Sequence, residues 1–224
     1  MFKNLRILVF LVVFGFSSQI ISAQKDITQF LGIGIDGLKS EIIQKLKEKG
    51  FVSDTYKKDV LDGEFNGTNV NLHVVTNNNR VYRIMVADKN SINETDIKIR
   101  FNTLIEQFRN NKKYLPVPDA KIEKYIIPEE EDISYELTVK NKRYEAVFYQ
   151  KSSEYNALEI EIANLYKKET LNTEDKERLN LLSKKMVDDS FKKTVWFMIS
   201  ERYGKYFISI YYDNEYNKAN GEGL

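Results

Sequence analysis

The sequence predicts an α+β protein built on antiparallel sheet with helices packed against one face. Three observations predict it. Short alternating apolar runs are joined by connections as brief as "NGT" and "NNN", which force antiparallel neighbours because a parallel return needs a dozen or more residues. Capped amphipathic helices precede groups of these runs instead of separating them one by one, so the β-α-β alternation of a parallel sheet is missing. Finally, a helix followed by three short strands reads out twice, which predicts two tandem α-β-β-β units, residues 24–115 and 116–214.

Taken in chain order, "MFKNLR" carries Lys3 and Arg6 ahead of an apolar run from Ile7 to Phe16 and a small-residue end, "SSQIISA". This is the pattern of a secretory signal peptide cleaved after Ala23, and the alternative of a buried N-terminal helix does not account for the order of its three parts. Its apolar run is too short for a spanning helix, and no later segment reaches the roughly 20 apolar residues a bilayer crossing needs. Loss of Lys3 and Arg6 takes the formal charge from +1 to −1. No Lys/Arg block has the excess a nucleic-acid binder uses against phosphate. The chain has no cysteine, which excludes disulfides, a lipidated N-terminal Cys, a thiol nucleophile and thiolate metal sites. The expected location is the periplasm or the exterior.

"GIGIDG", Gly32 to Gly37, runs into a helix over Leu38 to Lys49 whose apolar face holds Leu38, Ile42, Ile43 and Leu46. Asp36 is placed to cap it, and Gly50 followed by Phe51 to end it. A dinucleotide site on this glycine motif would need a preceding buried parallel strand and a helix-linked second strand, neither of which the sequence supplies. Strands are expected over Lys58 to Phe65, Val70 to Thr76 and Arg80 to Ala87. Ser91 and Glu94 form a capping-box pattern before a second helix, Glu94 to Asn111, with Ile97, Phe101, Leu104, Ile105 and Phe108 on one face. Pro116 and Pro118 stop it.

A second meander is expected from Ile122 to Ile127, Ile133 to Val139 and Arg143 to Gln150, with the acidic "PEEED", Pro128 to Asp132, as a solvated turn. A calcium loop there is the alternative. Residues Ser152 to Lys193 read as a helical hairpin inserted between strands. "TVWFMIS" and "YFISIYYDN" close the chain as a β-hairpin, the first strand apolar on both faces and hence central. Residues 215–224 read as a mobile tail; the Asp213, Glu215, Asn217 spacing that leads into it imitates a calcium loop and fails at Lys218 and Leu224. Asn66 and Asn93 begin glycosylation sequons, with Asn66 better explained as turn chemistry.

Function is less legible. His73 is the only histidine, so a two-histidine zinc site is excluded, and no G-x-S-x-G elbow accompanies it. It reads as a strand residue facing solvent or a partner in preference to a general base. No catalytic residue, metal ligand or cofactor is assigned. Trp196 and the tyrosines of "YYDNEYN" suggest sugar stacking or a protein interface, although strand propensity accounts for most of the aromatics. The exposed strand face around Asn71, His73, Arg80 and Tyr82 is the expected contact surface.

The stretches "FLGIGIDGLKSEIIQKLKEKGF", "GEFNGTNVNLHVVTNNNRVYRIMV" and "ISIYYDNEYNKANGE" resemble a group of uncharacterised exported proteins of anaerobic Gram-negative gut bacteria. The tandem architecture is similar to the beta-lactamase-inhibitor-protein-like fold. Neither resemblance carries catalytic residues across. The expectation is a non-enzymatic binding, envelope-assembly or inhibitor-type module whose partner is another envelope or extracellular protein, not a nucleic acid; a periplasmic hydrolase or glycan-binding protein is the alternative.

Overall fold

A computed structural model describes residues 26–57 and 59–219; the leader read at Met1–Ala23 lies outside the described residues. β1 (Gln29–Phe30) and β2 (Ile33–Gly34) form an antiparallel hairpin across Leu31 and Gly32. Both turn residues have positive φ, 50° and 80°. A type I′ turn requires that pair, and glycine adopts it without Cβ strain. The glycine-rich entry is thus a hairpin leading into a helix, with no parallel strand before it among the described residues.

α1 (Lys39–Glu48) buries Ile42 and Leu46. Asp36 does not cap it. Its Oδ1 accepts from the Gly37 N–H at 2.8 Å, Arg80 at 2.6 Å and Asn217 at 2.7 Å, and Glu41 reaches back to the Leu38 N–H at 3.4 Å. At the other end the Phe51 N–H donates to Leu46 O at 3.2 Å and the Gly50 N–H to Lys47 O at 3.0 Å, the paired bonds of a Schellman motif. That motif delivers Phe51 into the core.

β3 (Val52–Ser53), β4 (Val60–Phe65), β5 (Thr68–Asn77) and β6 (Arg80–Asp88) follow as an antiparallel meander. α2 (Glu94–Asn110) buries the five expected residues from Ile97 to Phe108. Its cap is Asn93, whose side chain accepts from the Asp96 N–H at 2.9 Å, in place of the expected Ser91. Asn outranks or equals Ser in that role, and Asn93 is the residue adjoining the first helical turn.

Two expected strands are helices. Ile122–Ile127 falls mostly within α3 (Asp119–Tyr125), and Ile133–Val139 within α4 (Ile133–Thr138). The Ile122/Ile126 and Ile133/Leu137 pairs are four apart, helical spacing that the β-branched composition obscured. Asp132 caps α4 by accepting from the Tyr135 N–H at 2.8 Å, so "PEEED" is a helix entry and not the tip of a hairpin. β7 (Glu145–Tyr149) is the one strand of the expected second meander. The inserted hairpin is present as α5 (Tyr155–Tyr166) and α6 (Thr173–Phe191), followed by β8 (Thr194–Arg202) and β9 (Lys205–Asp213).

The main sheet has the order β3-β4-β5-β6-β9-β8-β7 and every pairing is antiparallel. The two halves are not matching helix-plus-three-strand units: α1 is followed by the four strands β3 to β6, whereas after α2 the short helices α3 and α4 stand where two strands were expected and the α5–α6 pair separates β7 from β8. β6 and β9 meet near the sheet centre and join the two halves, with Val86 opposite Ile210. α1 and α2 cover one face. Phe101 of α2 sits edge-on to Phe197 of β8, ring centroids 5.0 Å apart, and Phe108 stacks on Phe148 of β7 at 4.9 Å. All four rings belong to one hydrophobic cluster running through both halves, and full burial of each side chain is worth about 1.5–3 kcal/mol. Among the described residues no helix is long and apolar enough to cross a membrane.

Candidate functional site

Strand alternation sends Val70, Leu72 and Val74 of β5 toward the helices, so their neighbours Asn71, His73 and Val75 point to the opposite face. The same parity on the other strands aligns one row across the sheet: Val60, His73, Met85, Tyr211, Trp196 and Val147 are successive cross-strand partners. An adjacent row runs from Asp62 through Asn71 and Ala87 to Ser209 and Met198. Apolar area is concentrated at the centre of this open face and polar groups toward the β4 side.

The centre is held by an electrostatic brace. Arg83 of β6 lies opposite Asp213 of β9 and grips its carboxylate through both Nε (2.5 Å) and an Nη (2.7 Å). The same carboxylate accepts from Trp196 Nε1 at 3.0 Å. Its side chain is only 2 % exposed, so three donors replace the water it has lost. The Asp213 hydrogen bonds raise the Arg83 pKa above its ordinary value against the effect of burial, and the guanidinium stays charged throughout. It also sits 5.0 Å from the Tyr211 ring centroid and 5.5 Å from that of Trp196, within cation–π range. Trp196 and Tyr211 stack with centroids 4.0 Å apart and planes 14° from parallel. Four side chains from three strands thus lock one another into a single arrangement.

The residues expected from the sequence divide around this centre. His73 lies in the aromatic row and Asn71 in the adjacent one, where its Nδ2 donates to Asp62 Oδ1. Tyr82 is the extra residue of a β-bulge, between the Val75/Arg83 and Thr76/Val81 pairs; its carbonyl accepts from the Asn214 N–H at 2.7 Å. Arg80 is separate, at the start of β6, bound to Asp36 at 2.6 Å beside the entry to α1. Reading the sequence missed the roles of Arg83 and Asp213 and discounted Tyr211 and Trp196. Their alternation with buried neighbours marks them as outward-facing, but nothing local indicates that β6 and β9 are neighbours.

The chemistry available is limited. Burial, then the charges of Lys57 and Lys39, holds His73 below the ordinary imidazole pKa, and its neighbours in the row are Val60 and Met85, which offer no carboxylate to orient it as a base. Hydrogen bonds from Lys142 and Tyr144 hold the Glu131 carboxyl below its usual range although burial opposes this, so the densest acid in "PEEED" is already engaged. Among the described residues no group of three or more His, Cys, Asp or Glu is placed to hold a metal. On the helix side of the sheet, a cleft of about 550 Å³ has one lining carboxylate, Asp26, which Lys193 engages at 2.6 Å. No acid/base pair of carboxylates lines it. Comparison with known proteins returns no matching family model, no matching curated protein and no matching solved structure.

Proposed function

We propose that the chain is an exported, non-enzymatic binding module that docks a partner protein of the envelope or the extracellular space on the open face of its sheet. One observation carries the reading: Arg83, Asp213, Trp196 and Tyr211 form a braced aromatic centre on the face opposite α1 and α2. Protein interfaces concentrate their energy in such places, with Trp, Tyr and Arg anchors near the middle of a patch and weaker polar contacts around them. Side chains already fixed before binding lose little conformational entropy when a partner arrives. Six strands at about 4.8 Å spacing give the row a width of about 24 Å, suited to an interface of about 800 Å² per partner.

Glycan recognition fits this centre less well. Sugar stacking uses open aromatic faces, whereas Trp196 and Tyr211 turn a face toward each other. The export leader read in the sequence supports the envelope or exterior as the place of binding.

The test is affinity capture from an envelope extract with wild-type protein and with Trp196→Ala. Loss of an anchor of this kind weakens binding by about 2 kcal/mol or more. The same partner should be recovered repeatedly by the wild type and depleted with the variant. Equal recovery by both, or turnover of a peptide or glycan library by a protein that captures nothing, overturns the proposal.

A further inference from the structure

The cleft on the helix side of the sheet lies between the β1–β2 hairpin, the segment after α2 and the junction of β7 with α5. Its floor is aromatic. Phe30 packs against Phe65 at 5.1 Å and edge-on to Tyr212 at 4.9 Å. The hydroxyl of Tyr212 bonds to that of Tyr114, which also meets Gln150. Burial, and then the neighbouring Tyr114, raises the Tyr212 pKa well above the ordinary phenol value, so this pair supplies neutral hydroxyls only. Gln150 forms a rigid wall: its Oε1 accepts from the Gln29 N–H at 2.9 Å and its Nε2 donates to Gln29 O at 2.7 Å.

The charges are unbalanced. Asp26 is taken up by Lys193 at 2.6 Å and by the Ser153 N–H at 2.6 Å. Lys112, Lys113 and Lys151 also line the cleft, and no ion pair to a carboxylate involves any of them among the described residues. Lys151 instead rests its ammonium 4.6 Å from the Tyr155 ring centroid. Three uncompensated cations thus surround an apolar floor, an arrangement that focuses positive potential into a concavity. In the same wall Ser152 Oγ is buried with no hydrogen-bond partner among the described residues, and a buried hydroxyl of that kind calls for an oxygen or water to complete it.

We propose that this cleft binds a small amphiphilic carboxylate, with its apolar body on Leu31 and Phe65 above the buried Phe30 and Tyr212 and its acid group among Lys112, Lys113 and Lys151. The volume of about 550 Å³ lies within the range of ordinary small-ligand sites. Lysine point charges suit a single carboxylate; the planar forks of arginine that grip phosphate bidentately are missing from the lining. This site is separate from the open face and stands or falls without it.

Decanoate, decanol and decyltrimethylammonium, titrated calorimetrically into the purified protein below their aggregation thresholds, test the proposal. Decanoate should bind at one saturable site, with the alcohol and the cation each about tenfold weaker or more, a difference of about 1.4 kcal/mol. Lys112→Gln/Lys113→Gln/Lys151→Gln should lose that preference with an unchanged melting temperature, and Lys113→Gln alone should reduce it. Trp196→Ala should leave decanoate binding intact, which separates this site from the protein interface. Absence of saturation, equal binding of decanoate and decanol, or full retention by a folded triple variant overturns the proposal.

Discussion

Asp213 shows how much the open face depends on single residues. Its buried carboxylate is satisfied by Arg83 and Trp196, so Arg83→Ala leaves it short of its charged partner and should destabilise the fold by about 3 kcal/mol or more; urea unfolding monitored by fluorescence measures this. Trp196→Ala removes a neutral donor and a stacked ring, and should cost less stability than Arg83→Ala while costing more binding. His73 gives a separate, pH-dependent prediction. Its pKa is depressed in the folded state by burial and by Lys57 and Lys39, so below the unfolded value the unfolded chain binds more protons. Stability should therefore fall as pH drops from about 6.5 toward the folded-state pKa. As the only histidine, it can be followed by NMR titration without ambiguity, and His73→Gln should flatten that part of the stability curve. A folded-state pKa at or above the unfolded one contradicts the assigned burial. Asn71 and His73 were legible as members of an outward face because strand parity is local. The Arg83/Asp213 bridge was not, because it joins residues 130 positions apart.

At the scale of elements, helix faces were readable wherever apolar spacing ran for several turns, as in α1 and α2. Caps and short helices were not. For α2 the sequence pattern favoured Ser91, but the bond comes from Asn93. Asn93→Ala should consequently cost about 1 kcal/mol, whereas Ser91→Ala should stay within about 0.5 kcal/mol; thermal denaturation of the two variants distinguishes them, and a reversed order contradicts the assignment. α3 and α4 have one or two turns each, too few for a period to stand out from a run of isoleucines and tyrosines. Their helicity comes from tertiary support: Asn102 accepts from the Ile127 N–H and donates to Ile127 O, both at 2.9 Å, and Glu94 accepts from the Ile133 N–H at 2.9 Å. Side chains of α2 thus hold the ends of both short helices, an effect no window of local sequence contains.

For the whole molecule, antiparallel sheet with helices on one face was legible from the short connections, but the strand order was not, and of the expected second meander only β7 is a strand. β6 and β9 meet because each ends its half with an apolar inward face, and the two halves share one core. The α5–α6 insertion departs from β7 and returns to β8 where Gln150 N–H donates to Lys193 O at 2.9 Å, so the sheet closes without it. Replacing residues 154–190 by a short linker should lower helical circular dichroism yet preserve a single cooperative unfolding transition; loss of cooperativity would show that the hairpin is part of the core. Asn214, and Asn217 within the stretch read from sequence as a mobile tail, contribute to closure. Asn214 Nδ2 donates to Ile35 O at 2.6 Å, and Asn217 Nδ2 to Val81 O at 2.8 Å. What remains exposed by this architecture is the sheet face with the braced aromatics, and site-specific photo-crosslinking addresses its role most directly. A benzoylphenylalanine at Met85 or Met198 should cross-link one envelope or extracellular protein, and the same probe at Ile99, on the exposed side of α2, should not. Cross-links from Ile99 alone, or none from the open face under conditions where a partner is captured, would contradict the account.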